Sequence, residues 1–144
     1  LYDKLIVLVA SNSSKSPAFS GEQRMEMIQM ALTEKNLKNV HVDCFSEGLL
    51  VDYVEAQGAR VIIKGLRAVS DFEYEYAMAL LNRRLRPNIE TVFMMTSGEY
   101  SFLSSSIVKE IARLGGEIAG LVPPPVLPFL REKFKPADSK RHSK

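Results

Sequence analysis

The chain has one cysteine, Cys44, and two histidines, His41 and His142. A single thiol excludes an internal disulfide, and its place in a strand-like run predicts a buried, inert side chain. Neither histidine has a ligand partner at metal spacing, so no metal centre built from protein side chains is predicted. His41 reads as a strand residue and His142 falls in the C-terminal tail. Long apolar runs are missing too: the longest are strand-sized pieces such as residues 5–10, and no signal-peptide pattern opens the sequence. A soluble, cytoplasmic protein with no membrane partner is expected. Neither sign of charge dominates, since Lys and Arg total 19 against 17 Asp and Glu, a formal net charge of +2. So small a surplus argues against a nucleic-acid partner, although the chain is locally basic from Lys133 onward. With Pro136 and few apolar residues after it, residues 137–144 are predicted to be a disordered tail.

What is present is enough for one compact domain, residues 1–136: of 144 residues, 46% are hydrophobic and 25% charged, the balance of a globular core with a solvated surface. Residues 5–10, 40–45, 59–64 and 90–95 are short β-branched or aromatic-rich runs, the first and third almost continuously apolar, as in buried parallel strands. Between them lie helix signals. Ser20 with Gln23 forms a capping-box pattern ahead of Met25, Ile28 and Leu32, and Ser70 with Glu73 does the same ahead of Ala77, Leu80 and Leu81. Helices over 48–57 and 105–114 are closed by Gly58 and Gly115, residues suited to a left-handed cap. A last helix follows Pro123 and Pro125. Strand and helix alternate, which predicts an α/β fold: an open, doubly wound parallel sheet of Rossmann-like type.

Ligands of such sheets sit beyond the carboxyl ends of the strands. That rule gives the loops 11–15, 65–71 and 96–106 a common address. The third ends in YSFLSSSIVKE, residues 100–110, with three consecutive serines at a helix start and a lysine one turn in. The unpaired N–H groups of a helix start favour phosphate, and hydroxyls clustered there add further contacts. One of the three serines is accounted for as the cap of the helix. Lys15 adds a mobile ammonium to this set, and Lys64 and Arg67 bracket Gly65 and Leu66. Each has an ordinary explanation taken singly, as a solvated lysine, an arginine paired with Asp71 or Glu73, or a glycine in a turn; together they form a phosphate-handling set.

The stretch IIKGLRAVSDFEYEYAMALLN (62–82), YSFLSSSIVKE and VASNSSKSPAF around Lys15 resemble bacterial phosphopantetheine adenylyltransferases, with the motifs in the family's order over essentially the whole chain. The resemblance implies transfer of AMP from ATP to 4′-phosphopantetheine, giving dephospho-coenzyme A and pyrophosphate. It implies that Lys15 and Arg67 are the catalytic cations, and that Lys15, Leu50 and Lys64 meet the phosphopantetheine. Gly65, Leu66, Arg67 and Glu75 would contact ATP, whose phosphates would lie among Tyr100, Ser101, Phe102, Leu103, Ser104, Ser105 and Ser106. Mg2+ would enter with ATP, coenzyme A would act as a feedback inhibitor, and the protein would assemble as a homohexamer. Position 64 is more often arginine in the family; lysine keeps the charge without the planar fork.

The family's opening strand, its Thr/Ser-Phe-Asp-Pro element and its Gly-His pair are not in this sequence, and the histidine that stabilises the transition state is therefore not among these residues. Leu1 resembles the tail of the family's first helix, which implies that roughly two dozen residues of the natural protein precede it. The missing strand is central in the family's sheet, so residues 5–10 and 61–63 are expected to lack their shared neighbour. Another adenylyltransferase of the superfamily, acting on nicotinate mononucleotide, would share the serine–lysine segment but lack GLRAVSDFEYE. A non-catalytic nucleotide-binding or assembly module is the alternative from outside enzymology.

Overall fold

The computed structural model describes residues 1–10, 16–67 and 69–135, and for 69–71 the backbone alone. In chain order the elements are β1 (Leu5–Ala10), α1 (Gly21–Glu34), β2 (Val40–Phe45), α2 (Leu50–Ala56), β3 (Val61–Leu66), α3 (Val69–Leu85), β4 (Glu90–Met95), α4 (Ser105–Arg113) and α5 (Leu127–Lys133), with 3₁₀ turns at Gly98–Tyr100 and Pro124–Val126. Each strand is followed by a helix, as parallel pairing requires. The strands form two parallel pairs: β1 with β2, Leu5 opposite Val40 through Ala10 opposite Phe45, and β3 with β4, Val61 opposite Glu90 through Leu66 opposite Met95. The α/β class is as the sequence implies. The single sheet is represented by two separate pairs, the arrangement expected when residues 5–10 and 61–63 have no common neighbour.

The chain divides into two compact units, one made of Leu1–Ser46 with the chain from Leu103 onward, the other of Glu47–Phe102. In the first, α1 opens as its sequence dictates. The Ser20 hydroxyl accepts from the Gln23 N–H at 3.1 Å, and the Gln23 side chain accepts from the Ser20 N–H at 3.0 Å, a complete capping box. The core of this unit joins the apolar face of α4 to α5: Val108 and Ala112 pack with Ile118, Leu130 and Phe134, and Ala18, Phe19 and Leu103 lie against them. Arg113 sits 4.9 Å above the Phe134 ring. Glycine closes α4 as anticipated, with Gly115 at φ 75°.

In the second unit Val51 and Val54 of α2 bury against Ile62 of β3 and Ile89, and Gly58, at φ 65°, ends the helix as its position implies. Arg86 anchors the end of α3 to α2, donating from Nη2 to Asp52 at 2.5 Å and from Nε to Glu55 at 3.0 Å. Arg83 pairs with Glu90 at the start of β4.

Four expectations change. β3 runs from Val61 to Leu66, so Gly65 and Leu66 belong to the strand and not to the loop after it. α3 begins at Val69, so Ser70 lies inside its first turn and not ahead of it. Ala77, Leu80 and Leu81 are exposed while Asn82 is buried, because a sheet of two strands is too narrow to cover the whole apolar surface of a long helix. Cys44 is exposed, although Gly21 at the start of α1 lies so close to it that an added Cβ there would press on the sulfur at 3.3 Å. His41 is an exposed residue of β2. His142 and residues 137–144 lie outside the described residues.

Candidate functional site

β3 and β4 end together. Leu66 stands opposite Met95, and the Thr96 N–H donates to the Leu66 carbonyl at 2.9 Å, so the chain after Leu66 and the chain after Met95 leave from the same carboxyl edge. This brings Lys64, Gly65, Leu66 and Arg67 beside the segment that leads to Tyr100, Ser101 and Phe102. Gly65 is exposed, has no left-handed φ, and an added Cβ there would meet no atom of the described residues within 4 Å. Neither packing nor turn geometry therefore demands glycine at 65, and the open space beside its backbone would admit a ligand. Leu66 as a whole residue is only 5% exposed, and its carbonyl is taken by the Thr96 N–H.

Nearly two turns into α3, Glu75 reaches Lys64: its Oε2 lies 3.3 Å from Nζ, with the lysine side chain 34% and the glutamate 23% exposed. The sequence reading places these residues against different substrates; the structure makes them an ion pair. Arg67 is exposed at the strand end. Leu50, the first residue of α2, packs half-buried against the core of the same unit.

Beyond β4, the Ser101 hydroxyl donates to the Gly98 carbonyl at 2.9 Å, closing the 3₁₀ turn. Tyr100 and Phe102 are exposed, Phe102 at 61%. The neighbouring Glu99 carboxylate raises the pKa of the Tyr100 phenol above its ordinary value. Leu103 turns the chain into the apolar core of the first unit.

The three serines divide their roles. Ser104 is the N-cap of α4, its hydroxyl accepting from the Ile107 N–H at 3.2 Å, while Ser105 and Ser106 sit exposed in the first helical turn. The capping explanation accounts for Ser104 alone. Lys109 follows one turn in and is half-buried. Lys15 lies outside the described residues, but both ends of its segment are described. Ala10 closes β1, and the Arg24 Nη1 of α1 donates to its carbonyl at 3.2 Å. Sequence reasoning missed Arg24, and no local signal could have shown it, because the contact spans fourteen positions and follows neither a helical nor a strand period.

Among the described residues no group of three His, Cys, Asp or Glu side chains could hold a metal ion. No helix among them is long and apolar enough to cross a membrane.

The model of the cytidylyltransferase-like family matches residues 1–111, from the first residue into α4, and this match puts the chain among the nucleotidyltransferases. The chain is 56% identical over 135 residues to the phosphopantetheine adenylyltransferase of Dictyoglomus turgidum, an alignment that covers 94% of this chain and 82% of that protein. It is 53% identical to the phosphopantetheine adenylyltransferase of Desulforudis audaxviator (93% and 80%) and 52% identical to that of Heliobacterium modesticaldum (93% and 78%). The chain belongs to the phosphopantetheine adenylyltransferase family.

Proposed function

We propose that this protein transfers the adenylyl group of ATP to 4′-phosphopantetheine, giving dephospho-coenzyme A and pyrophosphate in coenzyme A biosynthesis. The observation that carries the reading is the identity of 52% to 56% to phosphopantetheine adenylyltransferases over more than nine-tenths of the chain. An anionic oxygen of the 4′-phosphate forms a bond to the α-phosphorus of ATP; the bond from that phosphorus to the bridging oxygen breaks, and its electron pair leaves with pyrophosphate. The nucleophile is already ionised, so no side chain need remove a proton. What remains is to align two anions and offset the charge between them.

In our reading Lys15 and Lys64 hold the 4′-phosphate, and Leu50 lines the pantetheine arm. Gly65, Leu66, Arg67 and Glu75 meet the nucleotide. Tyr100, Ser101, Phe102, Leu103 and the three serines serve the triphosphate, where Ser105 and Ser106 have hydroxyls free of the cap and α4 offers its N-terminus. Lys15 and Arg67 supply cationic charge around the reacting phosphates. Magnesium enters as the counter-ion of ATP, held by the nucleotide phosphates. Coenzyme A carries the same pantetheine arm and competes for the same place. The setting is cytoplasmic. Leu80, Leu81 and Leu85, exposed on α3, supply apolar surface for a homo-oligomer, hexameric by resemblance, which light scattering of the full-length protein would measure.

The direct test incubates the full-length protein with ATP, magnesium and 4′-phosphopantetheine, with nicotinate mononucleotide as the competing acceptor. Pyrophosphate release with the first acceptor alone is expected. ATP binding without pyrophosphate would favour a non-catalytic module, and release with the mononucleotide would transfer the protein to another branch of the superfamily.

A further inference from the structure

Lys64 and Glu75 belong to one unit, Glu47–Phe102, and the packing of that unit brings them together. Lys64 of β3 stands opposite Phe93 of β4 in register, and such partners in a parallel pair point to the same face of the sheet. Phe72 of α3 meets the Phe93 ring with centroids 5.9 Å apart and planes at 67°, and it stacks on Tyr76 at 5.6 Å. Residues 72, 75 and 76 share one face of the helix. The contact that seats Phe72 on Phe93 therefore also carries Glu75 to the lysine beside that ring, where ammonium and carboxylate meet at 3.3 Å.

The lysine stays within reach of a ligand. Its side chain is 34% exposed and that of Glu75 23%, so an incoming anion can contact Nζ without opening the core. An ammonium is a compact point charge, without the planar fork by which a guanidinium holds two anionic oxygens side by side. Lys64 therefore has one charge for two claimants.

We infer that Glu75 is an internal competitor for the 4′-phosphate: the phosphate binds Lys64 by exchange with this carboxylate, and Glu75 thereby sets the affinity of the acceptor site. This inference rests on the proposed contact between Lys64 and 4′-phosphopantetheine. The exchange depends on the charge of the incoming group. A phosphate monoester carries about −1.5 to −2 at pH 7, more than the carboxylate that it displaces, whereas the same phosphorus joined to the adenylyl group is a diester with a single charge. The monoester wins the ammonium before transfer and the carboxylate recovers it afterwards, which favours entry of substrate and departure of product.

Calorimetric titration of the full-length protein without nucleotide tests this and keeps the proposed contact of Glu75 with ATP out of the measurement. The ligands are 4′-phosphopantetheine, its methyl phosphodiester, and pantetheine, which lacks the phosphate. Glu75→Gln is expected to tighten 4′-phosphopantetheine by about 2- to 5-fold, the factor that a partly exposed ion pair supplies. The methyl ester should bind the parent little better than pantetheine and should also gain in Glu75→Gln, with pantetheine unchanged. Lys64→Met should weaken 4′-phosphopantetheine, and the gain should vanish in the Glu75→Gln/Lys64→Met double variant. Glu73→Gln removes an exposed carboxylate of α3 and should alter none of these affinities. Glu75→Ala is expected to show the same gain as Glu75→Gln, so the comparison does not hang on the folding of one variant. Unaltered or weaker binding in both Glu75 variants, a gain that survives in the double variant, an equal gain in Glu73→Gln, or a methyl ester as tight as 4′-phosphopantetheine in the parent would overturn the inference and leave Lys64 in its role. Unaltered affinity in Lys64→Met would remove the contact of Lys64 with the phosphate and this inference with it.

Discussion

Nζ of Lys64 lies 3.3 Å from Oε2 of Glu75, so the ammonium proposed for the phosphate of one substrate is neutralised by a carboxylate proposed for the other. A phosphate arriving at Lys64 competes with that carboxylate. The pair is about one-third exposed at the lysine, where such ion pairs add little to stability. Lys64→Met is therefore expected to change the unfolding free energy by less than ~1 kcal/mol. The same change should raise KM for 4′-phosphopantetheine by roughly 10-fold or more through loss of a charged hydrogen bond. Lys64→Arg should keep or tighten binding, because the guanidinium offers a two-pronged contact. Parallel loss of melting temperature and affinity in Lys64→Met would assign the pair to the fold instead.

Gly65 separates ligand space from packing space. A Cβ at this position would meet no atom of the described residues within 4 Å, and the backbone is not left-handed. Gly65→Ala should leave stability unchanged or raise it by about 0.4–1 kcal/mol by restricting the unfolded chain. If the nucleotide approaches this backbone, the same methyl group weakens ATP binding, which calorimetric titration with ATP and magnesium would read directly. Unaltered ATP affinity would show that the space beside Gly65 is not used.

The serines should part company on mutation. Ser104→Ala removes the cap of α4 and is expected to cost about 1 kcal/mol of stability. Ser105→Ala and Ser106→Ala alter exposed hydroxyls and should stay within about 0.5 kcal/mol, yet raise KM for ATP. Denaturant melts and ATP-dependent kinetics on the three single variants give the comparison.

Glu117 carries an acid-side dependence of stability. The Ala119 N–H, the Arg131 guanidinium and the Ile118 N–H all donate to its carboxylate and hold its pKa below the ordinary 4.5. Because the folded value is the lower one, the stabilisation is fully present above the unfolded pKa and disappears as pH falls through the folded one. Thermal unfolding of Glu117→Gln should therefore lie below the parent at neutral pH and converge with it in acid. Equal separation at every pH would assign the effect to geometry and not to ionisation.

Some of this molecule follows from its local chemistry. Ser20 and Gln23 cap α1 as their spacing requires, Gly58 and Gly115 take the left-handed conformation open to a residue without Cβ, and β1, β2 and β4 occupy the runs whose side chains suit a pleated sheet. The family itself could be read from KGLRAVSDFEYE and SFLSSSIVKE, because long ordered motifs survive without coordinates. Cys44 shows where such reading stops: a strand-like run does not say which of its side chains will be covered, and this thiol is exposed. α3 shows the same limit, since which of its apolar residues are covered depends on the width of the sheet beneath.

By itself, then, the sequence determined the order and ends of most elements and the family of the chain, because caps, left-handed glycines and strand propensity act within a few residues. Only the tertiary structure decided which charges meet: Lys64 with Glu75, Arg86 with Asp52 and Glu55, and Arg24 with the Ala10 carbonyl. Those contacts join positions separated by eleven to thirty-four residues, where no helical or strand period links one side chain to the next, and they exist only because the strands and helices have been packed side by side.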